Sequence, residues 1–114
     1  MTTPAAPQTN ADAVRALNDA FRKTATSGIV FTEALAARGL PKMLQILRQV
    51  RDHSDFPAGN DPYQEHDFGS FAHGGEKLFW KIDYYNLDMD AGSEDPSDPA
   101  QTTRIMTIML ASDY

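Results

Sequence analysis

A β-hairpin is predicted by residues 68–85, which read FGSFAHGGEKLFWKIDYY. Gly74 and Gly75 stand between two apolar runs. Tight two-residue hairpin turns need positive φ angles, which glycine adopts without steric cost. Alternate residues of a strand point to opposite faces of its sheet. The second strand is therefore expected to present Leu78, Trp80, Ile82 and Tyr84 to the core, and Phe79, Lys81, Asp83 and Tyr85 to the other face.

Two further strands are predicted outside the hairpin. Residues 29–32 form a short run of β-branched and aromatic residues, which favour strands. Residues 102–111 are apolar at most positions, which is typical of a central strand covered on both faces. A terminal helix is the alternative for residues 102–112, because periodicity alone does not separate the two for short apolar runs.

Two helices complete the predicted fold. Residues 10–25 form an amphipathic helix whose apolar stripe is Val14, Leu17, Phe21 and Ala25. Polar residues such as Asn18 and Arg22 are expected largely off that stripe. Pro41 suits the first turn of a second helix, and residues 33–38 fit either a helical turn or a connection. The fold class predicted is α+β, with two helices packed on a small, mostly antiparallel sheet in the order α-β-α-β-β-β.

The composition predicts one globular domain over residues 10–114, preceded by a flexible tail at residues 1–9. The chain has 114 residues, of which 41% are hydrophobic. No run approaches the roughly 20 apolar residues of a membrane span, and the N-terminus lacks the features of a signal peptide. The absence of cysteine excludes disulfides and thiolate chemistry. We interpret the protein as cytoplasmic, with no membrane contact.

The two halves of the chain differ strongly in charge. Residues 1–51 carry seven Lys and Arg against three Asp and Glu, whereas residues 52–114 carry three against thirteen. The net charge of −6 argues against direct nucleic-acid binding, which requires cations to displace counterions from phosphates. An acidic surface instead favours a basic protein partner, since opposite potentials steer association. The oligomeric state is not predicted.

Acidic and aromatic residues define the candidate site. The predicted binding residues are Asp61, Tyr63, Glu65, His66, Asp67, Asp83, Asp88, Asp90, Glu94 and Asp95. The last four belong to an acidic loop, residues 87–101. No nucleophile with an identifiable base, phosphate-binding loop or metal-ligand spacing is present. We therefore predict no catalytic residue, no metal site and no cofactor.

Part of this set allows a second interpretation. Glu65, His66, Asp67 and Asp83 would support metal-assisted or acid–base catalysis if their side chains met in one pocket. The simpler interpretation gives these residues loop-stabilising roles, because Asp61 is a common turn-initiating residue and Glu65 and His66 can bond loop backbone.

The same region resembles a known protein family. The strings that carry the resemblance are NDPY at 60–63, EHDFG at 65–69, FWKIDYY at 79–85, DP at 95–96, DPA at 98–100, TR at 103–104 and LA at 110–111. Together with LND at 17–19 and the strand at 29–32, they resemble the bacterial family called domain of unknown function 3768, over roughly residues 12–114. The resemblance implies no activity and transfers no catalytic residue. Its members occur on plasmids, phages and other mobile elements, which implies a role in host interaction or counter-defence.

These observations lead to one functional hypothesis and one alternative. The hypothesis is a small acidic protein-binding module, an inhibitor of a host nucleic-acid-handling or defence complex of the anti-CRISPR or anti-restriction kind. The alternative is an enzyme that uses Glu65, His66, Asp67 and Asp83.

Overall fold

A computed structural model describes residues 10–114, and the predicted flexible tail lies outside the described residues. The helices are α1 (Asn10–Thr24), α2 (Glu33–Ala36) and α3 (Leu40–Arg51). The strands are β1 (Ile29–Phe31), β2 (Phe68–His73), β3 (Glu76–Tyr85) and β4 (Thr103–Leu110). Single 3₁₀ turns lie before β4, at Pro99–Gln101, and after it, at Ala111–Asp113. The α+β class is confirmed, and residues 103–110 form a strand rather than a helix.

The sheet is mixed, so the prediction of a mostly antiparallel sheet is wrong. Its strand order is β1-β4-β3-β2. β2 pairs antiparallel with β3, and β3 antiparallel with β4, but β1 runs parallel to β4, with Ile29 opposite Met106. Parallel neighbours need a long connection between them. Here α2, α3 and the hairpin all lie between β1 and β4 in the sequence, which lets the first strand join the last as an edge.

The number of helices also differs from the prediction, because the described residues form three helices in place of two. Residues 33–36 form α2, whose Leu35 is fully buried against the core. Gly39 has a φ of 95° and separates α2 from α3, where Pro41 occupies the first turn as expected. The burial of Leu35 supplies tertiary stabilisation that so short a helix lacks by itself.

The hairpin forms as predicted. Gly74 and Gly75 have φ angles of 59° and 82°, as a primed turn requires. On β3, Leu78, Trp80 and Ile82 are buried, while the alternate residues are partly exposed. The core cluster comprises Leu35, Ile46, Val50, Leu78, Trp80, Ile82, Met106 and Ile108. Helices α2 and α3 thus cover one face of the two central strands.

The polar residues of α1 correct another expectation. Asn18 and Arg22, predicted to lie largely off the buried stripe, are 0% and 2% exposed. With Val14 they follow the spacing i, i+4, i+8 and form the face that α1 turns inward. Two of these three inward-facing residues are therefore polar, and their buried groups require internal partners. Within residues 10–114, no helix is both long and apolar enough to cross a membrane.

Candidate functional site

His66 anchors the predicted loop to α1. Its Nδ1 lies 2.8 Å from Asp19 Oδ1, and its Nε2 lies 3.6 Å from Asp61 Oδ2. The ring stacks on Phe56 with centroids 3.7 Å apart and planes 7° from parallel. Because both ring nitrogens face carboxylates and one ring face is covered, His66 is held in a single orientation.

Asp61 is buried and stabilises the loop through hydrogen bonds to its backbone. It is 4% exposed, and its Oδ1 accepts a hydrogen bond from the backbone N–H of His66 at 3.0 Å. Its backbone carbonyl accepts from the N–H of Gln64. Gln64 and His66 have φ angles of 56° and 55°, a left-handed conformation that is unfavourable for most side chains. The Asp61 carboxylate thus stabilises a strained turn, and it is not on the surface available to a partner.

Asp19 links His66 to a buried cation. The guanidinium of Arg22 donates to Asp19 Oδ1 at 2.9 Å and to the carbonyl of His53 at 3.3 Å, and it lies 5.3 Å from the ring centroids of Phe56 and Trp80. Partial burial by itself would raise the pKa of Asp19, but hydrogen bonds from Arg22 and His66 outweigh it and lower the pKa. Asp19 is therefore an anion that holds a loop and a buried arginine together.

Glu65 belongs to a different network. Its carboxylate accepts a hydrogen bond from the Tyr84 hydroxyl at 2.8 Å. The Asn18 amide donates to that hydroxyl at 2.8 Å and to the Glu65 carbonyl at 3.0 Å, and Asn18 Oδ1 accepts from Arg104 Nε at 2.7 Å. Burial raises the pKa of Tyr84, so it remains a neutral donor. Each of these groups is committed to an internal partner.

Asp67 and Asp83 line a separate cleft. It has a volume of about 480 Å³ and also includes Lys81, Tyr63 and Tyr114. Burial, with the nearby charge of Glu65, raises the pKa of Asp67. Lys81 Nζ lies 3.0 Å from Asp83 Oδ2, so the two residues that were predicted to share a face form an ion pair there, and both side chains are about one-third exposed. The side chain of Tyr63 is largely exposed at the edge of this cleft.

The residues of the proposed enzyme are consequently divided among three places. His66 lies with Asp61 and Asp19, Glu65 with Tyr84 and Asn18, and Asp67 with Asp83. Among the residues that the structure describes, no group of three or more His, Asp or Glu is arranged to hold a metal ion.

The acidic loop presents a braced tip, which we define as residues 87–90. Asn86 Nδ2 donates to Asp90 Oδ1 at 2.7 Å, and the Asp90 N–H donates to Asn86 Oδ1 at 3.1 Å. The N–H of Asn86 also bonds the carbonyl of Ala91 at 2.9 Å. Between these braces, Leu87 and Met89 are 62% and 46% exposed. The tip is therefore an ordered turn with two apolar side chains in solvent.

The acidic residues of this loop have unequal roles. Asp88 and Glu94 are exposed, and within residues 10–114 their carboxylates make no hydrogen bond or ion pair. Asp95 instead accepts from the N–H of Ser97, and Asp98 accepts from Gln101 and the N–H of Ala100, which lower the pKa of Asp98. Asp88 and Glu94 are thus free for a partner, whereas Asp95 and Asp98 shape the loop.

Sequence patterns missed the polar residues on which these networks depend, namely the buried Asn18, Arg22 and Arg104 and the partly exposed Asp19. The available signal was the spacing of Val14, Asn18 and Arg22, one helical turn apart. That signal competes with the more apolar stripe one position away, through Leu17 and Phe21.

Comparison with known proteins gives one family match. The model of the family described as "Protein of unknown function (DUF3768)" matches residues 31–113, from the end of β1 through β4. No curated protein and no solved structure matches the chain.

Proposed function

The chain belongs to the DUF3768 family, whose description states no activity, and on the geometry of its surface we propose that it is a protein-binding module. The acidic loop is the contact surface in this proposal, and its partner is a basic protein. The partner class that we propose is a nucleic-acid-handling or defence complex of the host cell. The acidic module binds the basic groove of that complex in the cytoplasm.

The observation that carries this proposal is the braced tip. Leu87 and Met89 are exposed although the turn that carries them is held by two hydrogen bonds between Asn86 and Asp90 and a third from Asn86 to the Ala91 carbonyl. The backbone of an ordered turn loses little conformational entropy when its side chains enter a pocket of a partner. Leucine and methionine also lose contact with water there, which favours binding.

The charges around the tip support a basic partner. Asp88 lies between the two apolar side chains, and Glu94 follows in the same loop, both without internal partners among the described residues. Carboxylates at the rim of an interface raise the association rate with a positive surface and make it dependent on ionic strength. A groove that binds nucleic-acid phosphates offers such a surface.

The test is capture of a partner by the immobilised full chain from a bacterial lysate, at low and at high salt, with three double variants beside the wild type. Leu87→Ser with Met89→Ser removes the apolar contacts. Asp88→Asn with Glu94→Gln removes two charges at the tip, and Asp52→Asn with Asp55→Asn removes two exposed charges elsewhere as the matched control.

We expect a salt-sensitive partner whose affinity falls roughly tenfold or more in the apolar variant and several-fold in the tip-charge variant. The control should bind like the wild type. A partner that binds the apolar variant undiminished, or no salt-sensitive partner at all, would contradict the proposal.

A further inference from the structure

An open groove of about 570 Å³ lies between the second half of α1 and the start of β4. This volume is within the range of small-molecule sites in proteins. Leu17, Phe21 and Ile105 contribute apolar walls, so the groove offers a surface for the carbon skeleton of a ligand. The groove shares no lining residue with the acidic tip.

Arg104 is the only ionisable residue among the described residues that line this groove. It is 9% exposed, and no carboxylate among the described residues lies within ion-pair distance of it. Its hydrogen-bond partners are neutral, with Nε donating to Asn18 Oδ1 and Nη2 to the carbonyl of Pro96. The charge of Glu65, beyond ion-pair distance, and the Tyr84 ring, whose centroid lies 5.2 Å from Arg104 Cζ, compensate this cation only in part. A guanidinium that is mostly removed from water and has no direct ion pair favours the binding of an anion.

One edge of this guanidinium is available to a ligand. Nη1 of Arg104 has no hydrogen-bond partner within residues 10–114. The side-chain nitrogens in that part of the chain that are both buried and unpaired are Arg22 Nε and Trp80 Nε1, so Arg104 Nη1 remains reachable from solvent.

Two hydroxyls in the groove are also unused. The side chains of Ser27 and Thr103 line it and make no hydrogen bond to any described residue, whereas the hydroxyls of Thr24 and Thr102 bond internal partners. No Asp or Glu among the described residues lines the groove to repel an anion. The lining thus combines apolar walls, one cation without a direct ion pair and free hydroxyl donors.

We propose that this groove binds a small carboxylic acid with an apolar body. The carboxylate accepts a charge-assisted hydrogen bond from Arg104 Nη1, with a hydroxyl of Ser27 or Thr103 as a further donor, and the apolar body packs between Leu17 and Ile105. This site is independent of the acidic tip and does not rest on the proposed protein-binding function.

The test titrates the full chain with 4-phenylbutyrate and with its neutral analogue 4-phenylbutanamide, followed by amide chemical shifts in NMR and by calorimetry. Arg104→Met removes the cation. Ala20→Trp fills the groove from the exposed face of α1 without altering Arg104, and Ala16→Trp places the same side chain one turn away, outside the groove, as the control.

With phenylbutyrate we expect saturable chemical-shift changes confined to residues 17–28 and 99–105. The affinity for the amide should be lower than that for the acid by roughly tenfold or more. Ala20→Trp and Arg104→Met should each weaken phenylbutyrate binding by about tenfold or more, and Ala16→Trp should leave it unchanged. If Arg104→Met does not fold, the amide analogue and Ala20→Trp still decide the outcome. Absence of saturable binding, equal affinity for acid and amide, or undiminished binding by Ala20→Trp would overturn the proposal.

Discussion

Asn18 Oδ1 accepts a hydrogen bond from Arg104 Nε at 2.7 Å, joining two buried residues that are 86 positions apart in the chain. The same Asn18 side chain donates to the Glu65 carbonyl and to the Tyr84 hydroxyl. One amide therefore connects α1, the loop before β2, and the two central strands. All of its hydrogen-bonding groups have partners, which makes this position sensitive to any change in side-chain chemistry.

Asn18→Ala should lower the free energy of unfolding by about 3 kcal/mol, because it leaves Arg104 and Glu65 with buried groups that lose their partners. Urea denaturation followed by tryptophan fluorescence measures the change. Asn60→Ala is the control, since the Asn60 side chain makes no hydrogen bond to the described residues, and it should shift stability by less than about 0.5 kcal/mol. Equal stabilities of the two variants would show that the network contributes nothing.

Gly69→Ala should destabilise the protein by about 2 kcal/mol or more, because an added Cβ would lie 2.2 Å from Trp80 Nε1 and 2.5 Å from the next ring atom. Trp80 is fully buried among core side chains, so it cannot move aside without cost. The matched control is Gly59→Ala, where an added Cβ meets nothing within 4 Å. Thermal unfolding should show a large decrease for the first variant and little change for the second. A Gly69→Ala protein as stable as the control would refute the close approach.

Asp19→Asn should lower stability at pH 7 by about 1–2 kcal/mol, a figure reduced for screening because 30% of the Asp19 side chain is exposed. The pKa of folded Asp19 is below its ordinary value, so its stabilisation is present above the unfolded-state pKa and is lost as the pH falls through the folded-state pKa. The difference between variant and wild type should therefore shrink as the pH falls below the ordinary aspartate range, and it should disappear once Asp19 is protonated in the folded as well as the unfolded state. Urea titrations across this pH range test it. Asp88→Asn, which removes an unpaired exposed carboxylate, should show no such pH dependence. If the stability difference between Asp19→Asn and the wild type stayed constant with pH, ionised Asp19 would not be the stabilising form.

Asp67→Asn should stabilise the protein slightly at neutral pH, by less than about 1 kcal/mol given its partial exposure. Burial raises the folded-state pKa of Asp67, so ionisation opposes folding once the pH exceeds the unfolded-state value. The gain should be absent below both pKa values, where the wild-type carboxyl is neutral in either state. Melting temperatures at acidic and neutral pH measure this. Asp83→Asn serves for comparison, because losing the ion pair with Lys81 predicts a small change of opposite sign. A destabilised Asp67→Asn at pH 7 would contradict the raised pKa.

Features with a local cause could be predicted from the sequence. Gly74 and Gly75 form the turn because few other residues tolerate its φ angles, and the alternation around Trp80 follows from the two-residue period of a strand. The short helix α2 was ambiguous because four residues carry too weak a periodicity, and its formation depends on the burial of Leu35. The exposed acidic residues of the loop could also be predicted from the sequence, but the hydrogen bonds between Asn86 and Asp90 that order the tip could not.

The sequence by itself determined the α+β class, the hairpin, the principal helices and the acidic character of the second half, because each follows from neighbouring residues. Only the tertiary structure decided that β1 lies parallel to β4, that Asn18 and Arg22 face inward, and that Arg104 is buried beside an apolar groove without an ion pair to any described residue. These outcomes depend on which distant segments bury the most apolar surface while every enclosed polar group keeps a partner. That free-energy balance involves the whole chain, so no local pattern contains it.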